Sequence, residues 1–422
     1  ERAPAAGDLP LLAYVHRPGS FDALALRDAA RGVCRLLWVV DTSLEGVAGA
    51  VRLLDRLGEV VDVAGRAPAD AAALVAAHRP AGVLTLADAA LVATADLAER
   101  LGLAFHTPDV ARRLTDKHAQ REALAAAGLR VPVVADVPVG PDGEDLEVLA
   151  RRVSLPAVLK PRVGEGSLDT FLVDSVAELG AAVAEARASD ATRALVLESY
   201  IPDAPTPLGG QGFAGYLSVE SVVAGGPPCH LATNGRLPPA PPFRETGFFI
   251  PSAVAPPLLD EVLEVASAAI VALGVTTGCL HTEVKLTADG PVVIEVNGRV
   301  GGGVPEMLHR ACGVDLLALA MRVALGERPA CGGLLPVARL AFLVYVHAPE
   351  PSGVVTSVEG MAEVRAAPGV DEVVLRRVPG DRVDWREGNH GHVLSVLGTA
   401  EDHDGLRAMR RYLDATLRIE VS

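Results

Sequence analysis

The sequence predicts a protein of mixed α/β and α+β class, and three observations support this prediction. Strand-like and helix-like segments alternate over residues 11–106, an acidic hairpin with a glycine turn occupies residues 280–305, and short strands with one last helix follow residue 329. The 422 residues, half of them hydrophobic, suffice for about three domains with their own cores. We therefore expect a Rossmann-like parallel sheet, a central region that carries the chemistry, and a small C-terminal α+β domain.

The N-terminal region predicts a parallel sheet with helices on both faces. Its short apolar runs LLAYV, RLLWVV, EVVDVA and GVLTL are separated by stretches with helical spacing. Such sheets bind ligands at the carboxyl ends of their strands, where His16, Asp41 and Asp88 lie, although each is more simply a polar loop residue. No GxGxxG follows the first strand, so nothing supports a dinucleotide site.

Charge and cysteine usage exclude several classes of partner. The net charge is −15 and no run of Lys or Arg occurs, so we expect neither nucleic acid nor an anionic membrane as a partner. The first ten residues lack the pattern of a signal peptide, and charges interrupt the longest apolar stretches, so no membrane span is expected. Five scattered cysteines without CxxC spacing predict reduced thiols in a cytoplasmic protein.

The stretch LHTEVKLTADGPVVIEVNGRVGGGVP, residues 280–305, predicts two strands joined at an Asp-Gly turn. A loop centred on Asp289 places Leu286 opposite Val292 and Glu283 opposite Glu295. Directly opposed like charges destabilise a strand pair by up to ~1 kcal/mol, so this arrangement favours a neutralising cation. Asn297 shares the face of Glu295 because it lies two residues further along the strand.

Two carboxylates and an amide oxygen form a ligand set that suits Mg²⁺ or Mn²⁺ bound to nucleotide phosphates rather than zinc. Arg299 follows on the same edge, where a guanidinium could hold a phosphate or an oxyanion, and the amides of residues 301–303 could approach the same anion. A single acidic pair on a strand is usually a solvated surface feature. The complete set of Glu283, Glu295, Asn297 and Arg299, followed by three glycines, favours a site.

These residues, HTEVKL and VVIEVNGRVGGG, resemble the magnesium and acyl-phosphate signature of the ATP-grasp superfamily. The resemblance implies the ATP-grasp fold, with a two-lobed nucleotide-binding region, and ATP and two Mg²⁺ ions as cofactors. It implies that Glu283, Glu295 and Asn297 hold the ions and that Arg299 holds the transferred phosphoryl group. The amides of Gly302 and Gly303 would help to stabilise the oxyanion.

Two lysines upstream fit the same resemblance. In TDKHAQREALAAAGLRVP, Lys117 begins a predicted helix and matches a phosphate-contacting lysine of the family, although alone it would be a solvated lysine. LPAVLKPRVGEGSLDTFLVDS predicts strand, loop and strand, with Lys160 at the end of the first strand. Gly164, Gly166 and Ser167 then form a loop that could fold over an anion. The family implies that Lys160 contacts the α-phosphate and that this loop is a lid.

The run ALVLESYIPD predicts a strand that ends near the adenine. The resemblance implies that Glu198, Tyr200 and Ile201 line the hinge under the base, with Glu198 and the backbone near Ile201 reading its polar edge; a plain edge strand is the alternative. Relatives often carry an acid for the ribose just before a motif such as SVE. Here GYLSVES offers Tyr216, so the ribose contact stays unassigned.

Substrate contacts are predicted in a long loop, NGRLPPAPPFRETGFFIPS. Arg244 and Glu245 could bind a carboxylate and an amine, although charged pairs in loops are more often solvated, and His309 could reach the substrate from a later helix. The segments SGVVTSVEG, RVPGDRVD and HGHVLSVLGTA resemble the C-terminal domain of L-amino-acid ligases. We expect domains at residues 1–107, 108–328 (lid at about 130–198) and 329–422.

The resemblance implies an ATP-dependent ligase that joins a carboxylate, such as that of an amino acid, to an amine through an acyl phosphate. Its partners would be small-molecule carboxylates and amines. The sequence leaves the oligomeric state open, although a homodimer is the commonest assembly of soluble oligomers in general. A carboxylase of the biotin-carboxylase type, or a nucleotide-binding module without catalysis, are the alternatives. The identity of the acid and the amine is left open by the sequence.

Overall fold

The computed structural model describes residues 9–17, 21–140 and 142–422. Within these ranges the strands form four sheets. The strands are β1 (Leu11–Val15), β2 (Arg35–Val40), β3 (Glu59–Asp62), β4 (Gly82–Leu84), β5 (Val134–Val137), β6 (Ala157–Pro161), β7 (Phe171–Val173), β8 (Leu195–Ser199), β9 (Tyr216–Ala224), β10 (Cys229–Arg236), β11 (Gly247–Ile250), β12 (Thr277–Thr287), β13 (Gly290–Asn297), β14 (Leu340–Val346), β15 (Ser352–Glu359), β16 (Val370–Leu375), β17 (Arg382–Asp384), β18 (Leu394–Ala400) and β19 (Arg418–Val421).

Helices alternate with these strands through most of the chain. They are α1 (Ala23–Ala29), α2 (Val47–Leu57), α3 (Pro68–Ala77), α4 (Leu91–Leu101), α5 (Pro108–Thr115), α6 (Lys117–Ala126), α7 (Gly143–Val153), α8 (Val176–Ala186), α9 (Pro256–Ala272), α10 (Val304–Cys312), α11 (Leu316–Ala324), α12 (Met361–Arg365) and α13 (His403–Thr416). In the described part of the chain, none of them combines the length and the apolar character that crossing a membrane needs.

The N-terminal sheet is parallel, as the alternating pattern predicts. Its strand order is β3-β2-β1-β4, and β1 pairs with both β2 and β4 in parallel register. Strand β2 is buried along almost its whole length, which is the pattern of a parallel strand covered by helices on both faces. Trp38 packs on one face of the sheet and Leu37 on the other, each in a separate core cluster.

A second, antiparallel sheet has the order β5-β8-β6-β7 and packs against α7 and α8. Its core contains the fully buried Leu159, Leu179 and Leu197. Asp142 begins α7 with a capping box, in which its side chain and that of Asp145 each accept the other's backbone N–H. This compact unit, hereafter the lid sheet, carries Lys160 on β6 and Glu198 on β8.

The large central sheet contains the acidic hairpin at one edge, in the order β13-β12-β9-β10-β11-β14-β18-β16. Glu283 lies opposite Glu295, which confirms that part of the predicted register. The prediction that Leu286 faces Val292 is wrong, because Leu286 pairs with Pro291 and Lys285 pairs with Val292. The turn is one residue tighter than expected, and a bulge at Ile294 restores the register before the two glutamates meet.

Three of the C-terminal strands continue this sheet, and three others form a separate small sheet. Strand β14 pairs with β11, and β18 and β16 follow, while β17, β15 and β19 form a small sheet of their own. The predicted domain division at residue 328 therefore lies between strands of one continuous sheet, and it stays a prediction. Buried Leu406 and Leu413 of α13 share a core cluster with Phe342 and Leu394 of the sheet.

The expectation that all five cysteines are reduced is wrong. Cys229 and Cys331 form a disulfide, with their Cα atoms 5.6 Å apart. Leu335 donates its N–H to the carbonyl of Leu231, which holds the segment after α11 beside the start of β10 and brings the two sulfurs together. Cys34, Cys279 and Cys312 are free thiols, and burial raises the pKa of Cys34 to about 12.

Candidate active site

A cavity of about 510 Å³ lies between the lid sheet and the acidic hairpin. Side chains from both sides line it, so the fold brings together residues that are far apart in the sequence. Of the predicted site residues, the cavity is lined by Lys117, Lys160, Gly164, Gly166, Ser167, Glu198, Tyr200, Ile201, Glu245, Glu283 and Glu295. Asn297, Arg299, Gly302, Gly303, Arg244 and His309 are not among its lining residues.

Cationic side chains face the two opposed carboxylates of the hairpin. Lys117 Nζ lies 3.1 Å from Glu295 Oε1, and Arg236 Nη2 lies 3.8 Å from Glu283 Oε1. Burial alone would raise the pKa of Glu283, but a hydrogen bond from His281 and the charges of His281 and Arg236 lower it to about 2. Glu283 is therefore ionised and available as an anionic ligand.

A buried polar network behind Glu283 fixes its surroundings. His281 Nδ1 lies 2.6 Å from Glu220 Oε1, and Asn234 Nδ2 donates to the same oxygen at 2.6 Å. Burial favours neutral His281, but the adjacent Glu220 and the hydrogen bonds outweigh it and raise the pKa of His281 to about 9. His281 is thus protonated at neutral pH and can donate to both Glu220 and Glu283.

The hairpin offers oxygen donors that fit a hard divalent cation. Glu295 and Asn297 lie on one face of β13, and Glu283 lies across from Glu295 on β12. Through the described ranges, no three His, Cys, Asp or Glu side chains converge on a common point. Two carboxylates and one amide oxygen are the kind of oxygen ligands that Mg²⁺ accepts when phosphate oxygens and water complete its coordination.

The two predicted lysines line the same cavity, and Lys117 lies directly beside a hairpin carboxylate. Lys117, the first residue of α6, donates from Nζ to the carbonyl of Gly164 at 2.6 Å and thereby links the glycine loop to Glu295. Lys160 Nζ lies 2.8 Å from Glu198 Oε2, and Arg121 Nη2 lies 3.1 Å from Glu198 Oε1. Burial lowers the pKa of Lys160, while the two cations outweigh the effect of burial and lower the pKa of Glu198 to about 2.

These contacts bear on the predicted adenine hinge. The Glu198 carboxylate is bound by two cations, and residues 199–201 also line the cavity. Asp203, two residues beyond Ile201, lines it as well and pairs with Lys285 beside Tyr216. The role of Glu198 in reading the base stays a prediction.

Arg299 joins three parts of the chain. Its guanidinium lies 2.6 Å from Asp88 Oδ2 at the carboxyl end of the N-terminal sheet and 3.0 Å from Glu165 in the glycine loop. Burial raises the pKa of Asp88 to about 6 against the opposing charge of Arg299. Gly303, with φ +72°, precedes α10, and the Cβ of an alanine at position 301 would lie 2.4 Å from His281 Nδ1.

Only one of the three predicted substrate-contacting residues lines the cavity. Glu245 lines the cavity, whereas Arg244 donates to the carbonyl of Pro241 and His309 is exposed on α10. A buried arginine that the sequence analysis missed, Arg236, meets Glu245 instead, with Nε 3.1 Å from Oε1. Burial raises the pKa of Glu245, although the Arg236 charge opposes that change.

The missed residues had a signal in the sequence. Arg236, Glu220 and His281 are ionisable residues that interrupt strands in which most residues are buried. Buried charged groups in proteins are paired or bind a ligand, so such interruptions mark a polar network. The partners within that network depend on pairing between β9, β10 and β12, which the local pattern does not specify.

Comparison with known proteins places these features in a family. Residues 153–306 match the ATP-grasp domain, and residues 345–422 match the L-amino acid ligase C-terminal domain 2. The L-amino acid ligase from Bacillus licheniformis superposes with a TM-score of 0.74 at 22% identity, over 98% of this chain and 99% of that one. At that identity the likeness establishes the fold alone.

Two characterised relatives have similar sequences. Carnosine synthase 1 of Homo sapiens is 31% identical over 268 residues, which cover 59% of this chain and 31% of the relative. The D-alanine–D-alanine ligase of Mycolicibacterium smegmatis is 29% identical over 272 residues, 58% of this chain and 64% of that enzyme. The chain thus spans less than two thirds of either relative. Residues 153–306 are therefore an ATP-grasp domain and residues 345–422 an L-amino acid ligase C-terminal domain 2, in a chain with the same fold as the Bacillus licheniformis structure.

Proposed function

We propose that this protein is an ATP-dependent carboxylate–amine ligase that joins two amino acids or closely related compounds. The observation that carries the proposal is the shared cavity in which Lys117 and Lys160 face the opposed carboxylates Glu283 and Glu295. Cationic side chains close to metal-binding oxygens are what a nucleoside triphosphate needs for phosphoryl transfer. The relatives named above are ligases, which supports the same reaction class.

In the proposed first step, a substrate carboxylate oxygen attacks the γ-phosphorus of ATP and ADP leaves. Lys117, Lys160 and the amides of the Gly164–Ser167 loop would neutralise the phosphate charge. Glu283, Glu295 and Asn297 would hold Mg²⁺, in one or two ions, which would orient the phosphates and offset their charge. The product of this step is an acyl phosphate.

In the second step the amine attacks the acyl carbon and phosphate leaves, so an amide forms. Arg299 would stabilise the oxyanion, and the phosphoryl oxygens would take the position that Glu165 occupies beside it. The amides of Gly302 and Gly303 are proposed to assist. Each step moves one leaving group, and none requires a covalent bond to the protein.

The substrate class follows from the groups that line the cavity beyond the nucleotide region. Glu245 offers a carboxylate for a substrate ammonium group, and Arg236 beside it balances the charge. Tyr216, Pro238 and Phe243 provide an apolar wall for a side chain. These features suit an α-amino acid, and a cytoplasmic location would supply both amino acids and ATP.

The experiment that tests the proposal measures phosphate release from Mg-ATP against a matrix of single amino acids and pairs, with mass spectrometry of the products. We expect release that requires two amino acids and a product with their condensed mass. Release that depends on bicarbonate would indicate a carboxylase instead. Nucleotide binding without turnover across the matrix would indicate a non-catalytic module.

A further inference from the structure

One short segment of the C-terminal part of the chain reaches the lid side of the candidate active site. The 3₁₀ segment Trp385–Gly391 packs on the lid sheet, where the Trp385 ring meets Phe171 edge to face with centroids 5.5 Å apart. Arg386 forms an ion pair with Glu185 on α8. This docking segment therefore lies against the lid side of the proposed nucleotide site rather than against its own sheet alone.

The docking segment also contacts the glycine loop directly. Asn389 donates its backbone N–H to the carbonyl of Gly166 at 2.9 Å. Gly388 approaches the same carbonyl so closely that a Cβ there would lie 2.2 Å from the oxygen, and its φ is +56°. Only glycine permits this approach, so the segment is shaped to the loop that covers the proposed phosphate site.

The Asn389 side chain points the other way, into the cavity, and holds Glu245 at two points. Its Nδ2 donates to Glu245 Oε2 at 3.0 Å, and its Oδ1 accepts the backbone N–H of Glu245 at 2.8 Å. Arg236 binds the second carboxylate oxygen of Glu245. The position of this carboxylate is therefore set jointly by Arg236 and by a residue that is bonded to the glycine loop.

We propose that Asn389 is a positioning residue that couples closure of the glycine loop over ATP to the placement of Glu245 for the amino-acid substrate. The inference rests on the proposed ligase function for its substrate, and on the contacts above for the coupling. Because coupling between two sites is reciprocal, loss of the link weakens each ligand's effect on the other. Asn389 itself takes no part in bond formation.

The coupling can be measured on the full chain without knowledge of the amino acid. Isothermal titration with the Mg²⁺ complex of a non-hydrolysable ATP analogue gives the Kd for wild type, Asn389→Ala, Glu245→Ala and the double variant. A hydrogen bond of this kind should change the Kd by about five- to tenfold in each single variant. In the double variant, the second substitution should add almost nothing, because both remove the same link.

Two controls separate coupling from general loosening of the docking segment. Arg386→Ala breaks an exposed ion pair in the same segment, so the Kd should change less than about twofold. Asn389→Asp keeps the acceptor for the Glu245 N–H but places a carboxylate against the Glu245 carboxylate, so it should weaken binding at least as much as alanine. Multiplicative effects of the two alanine variants, or an equal loss in Arg386→Ala, would overturn the proposal.

With an amino-acid pair found in the product screen, Asn389→Ala should raise the KM of one amino acid by about tenfold and change kcat much less. An unchanged KM would also overturn the proposal. If wild type binds the nucleotide but forms no product from any pair, the ligase function fails. The nucleotide titrations still decide whether Asn389 couples the loop to Glu245.

Discussion

Single carboxylates decide the chemistry of the proposed site, and Glu295 has the most direct position. It lies across the hairpin from Glu283 and 3.1 Å from Lys117, which in turn holds the glycine loop. A neutral side chain of the same shape would keep the packing but lose an anionic oxygen. The role of Glu295 can therefore be separated from the stability of the hairpin.

Glu295→Gln should reduce ATP turnover by roughly 100-fold or more, because one ligand of the proposed Mg²⁺ site loses its charge. The measurement is phosphate release at saturating Mg-ATP, with circular dichroism to show that the fold persists. Asp289→Asn is the matched control, since Asp289 lies at the turn of the same hairpin with its side chain 86% exposed. Turnover that survives in Glu295→Gln would show that the metal assignment is wrong.

At the scale of secondary structure elements, Glu198 on β8 connects two others. Its carboxylate accepts hydrogen bonds from Arg121 on α6 and from Lys160 on β6. Its pKa of about 2, against the ordinary 4.5, corresponds to about 3 kcal/mol of stability. The folded-state pKa is the lower one, so the folded protein binds fewer protons. This contribution is complete above pH 4.5 and is lost as the pH falls toward 2.

Glu198→Gln should therefore lower the free energy of unfolding by about 3 kcal/mol at pH 7, because two buried cations lose their anion. The difference from wild type should stay close to its pH 7 value when urea unfolding is repeated at pH 4.5, and it should shrink clearly at pH 3.5. Glu147→Gln, which removes an exposed partner of Arg151 on α7, serves as the control with little change at any pH. A difference that does not depend on pH would contradict the assigned pKa.

The loop between β13 and α10 contains two glycines whose replacement by alanine should have different effects on stability. A Cβ at Gly301 would lie 2.4 Å from His281 Nδ1 and 2.8 Å from a methyl group of Val304, whereas one at Gly302 meets nothing within 4 Å. Gly301→Ala should lower stability by about 1–3 kcal/mol, since the buried ring must move, and Gly302→Ala by less than ~0.5 kcal/mol. Thermal unfolding compares them directly, and equal melting temperatures would refute the close approach of His281 to this loop.

Across the whole molecule, local sequence patterns predicted the secondary structure elements, whereas their arrangement depends on contacts between distant parts of the chain. The parallel sheet, the hairpin and the opposition of Glu283 and Glu295 follow from periods of two and 3.6 and from an Asp-Gly turn. The bulge at Ile294 could not be predicted from these patterns, because its position depends on the pairing of β12 with β9 as well as with β13. The register of a strand is set by both neighbouring strands, and the hairpin sequence contains only one of the two neighbours of β12.

The contacts of the site residues also depend on residues that are far apart in the sequence. Neither Arg236 nor Asn389 could be assigned to Glu245, because each pair meets only after the strands of the central sheet and the C-terminal segment have packed. Asp88 was one of three polar candidates at the N-terminal sheet, and only its contact with Arg299, 211 residues away, connects it with the hairpin. Composition and periodicity carry no information at that separation.

The disulfide between Cys229 and Cys331 is the covalent tie at the scale of the whole chain. It closes a span of 102 residues that contains the acidic hairpin, α9, α10 and α11. In the chain-entropy account, a cross-link over such a span stabilises the folded state by about 4–5 kcal/mol, because the unfolded chain loses conformational freedom. Removal of the disulfide should therefore lower the free energy of global unfolding, while the site residues keep their contacts.

Cys331→Ser should lower the melting temperature, and dithiothreitol should lower that of wild type to the same level without further effect on the variant. Cys312→Ser removes a free thiol and is the control, with a small change and full sensitivity to dithiothreitol. Peptide mapping without reductant should recover Cys229 and Cys331 in one cross-linked species. Five titratable thiols in the unreduced, unfolded protein would show instead that the cysteines are all reduced, as the scattered spacing first indicated.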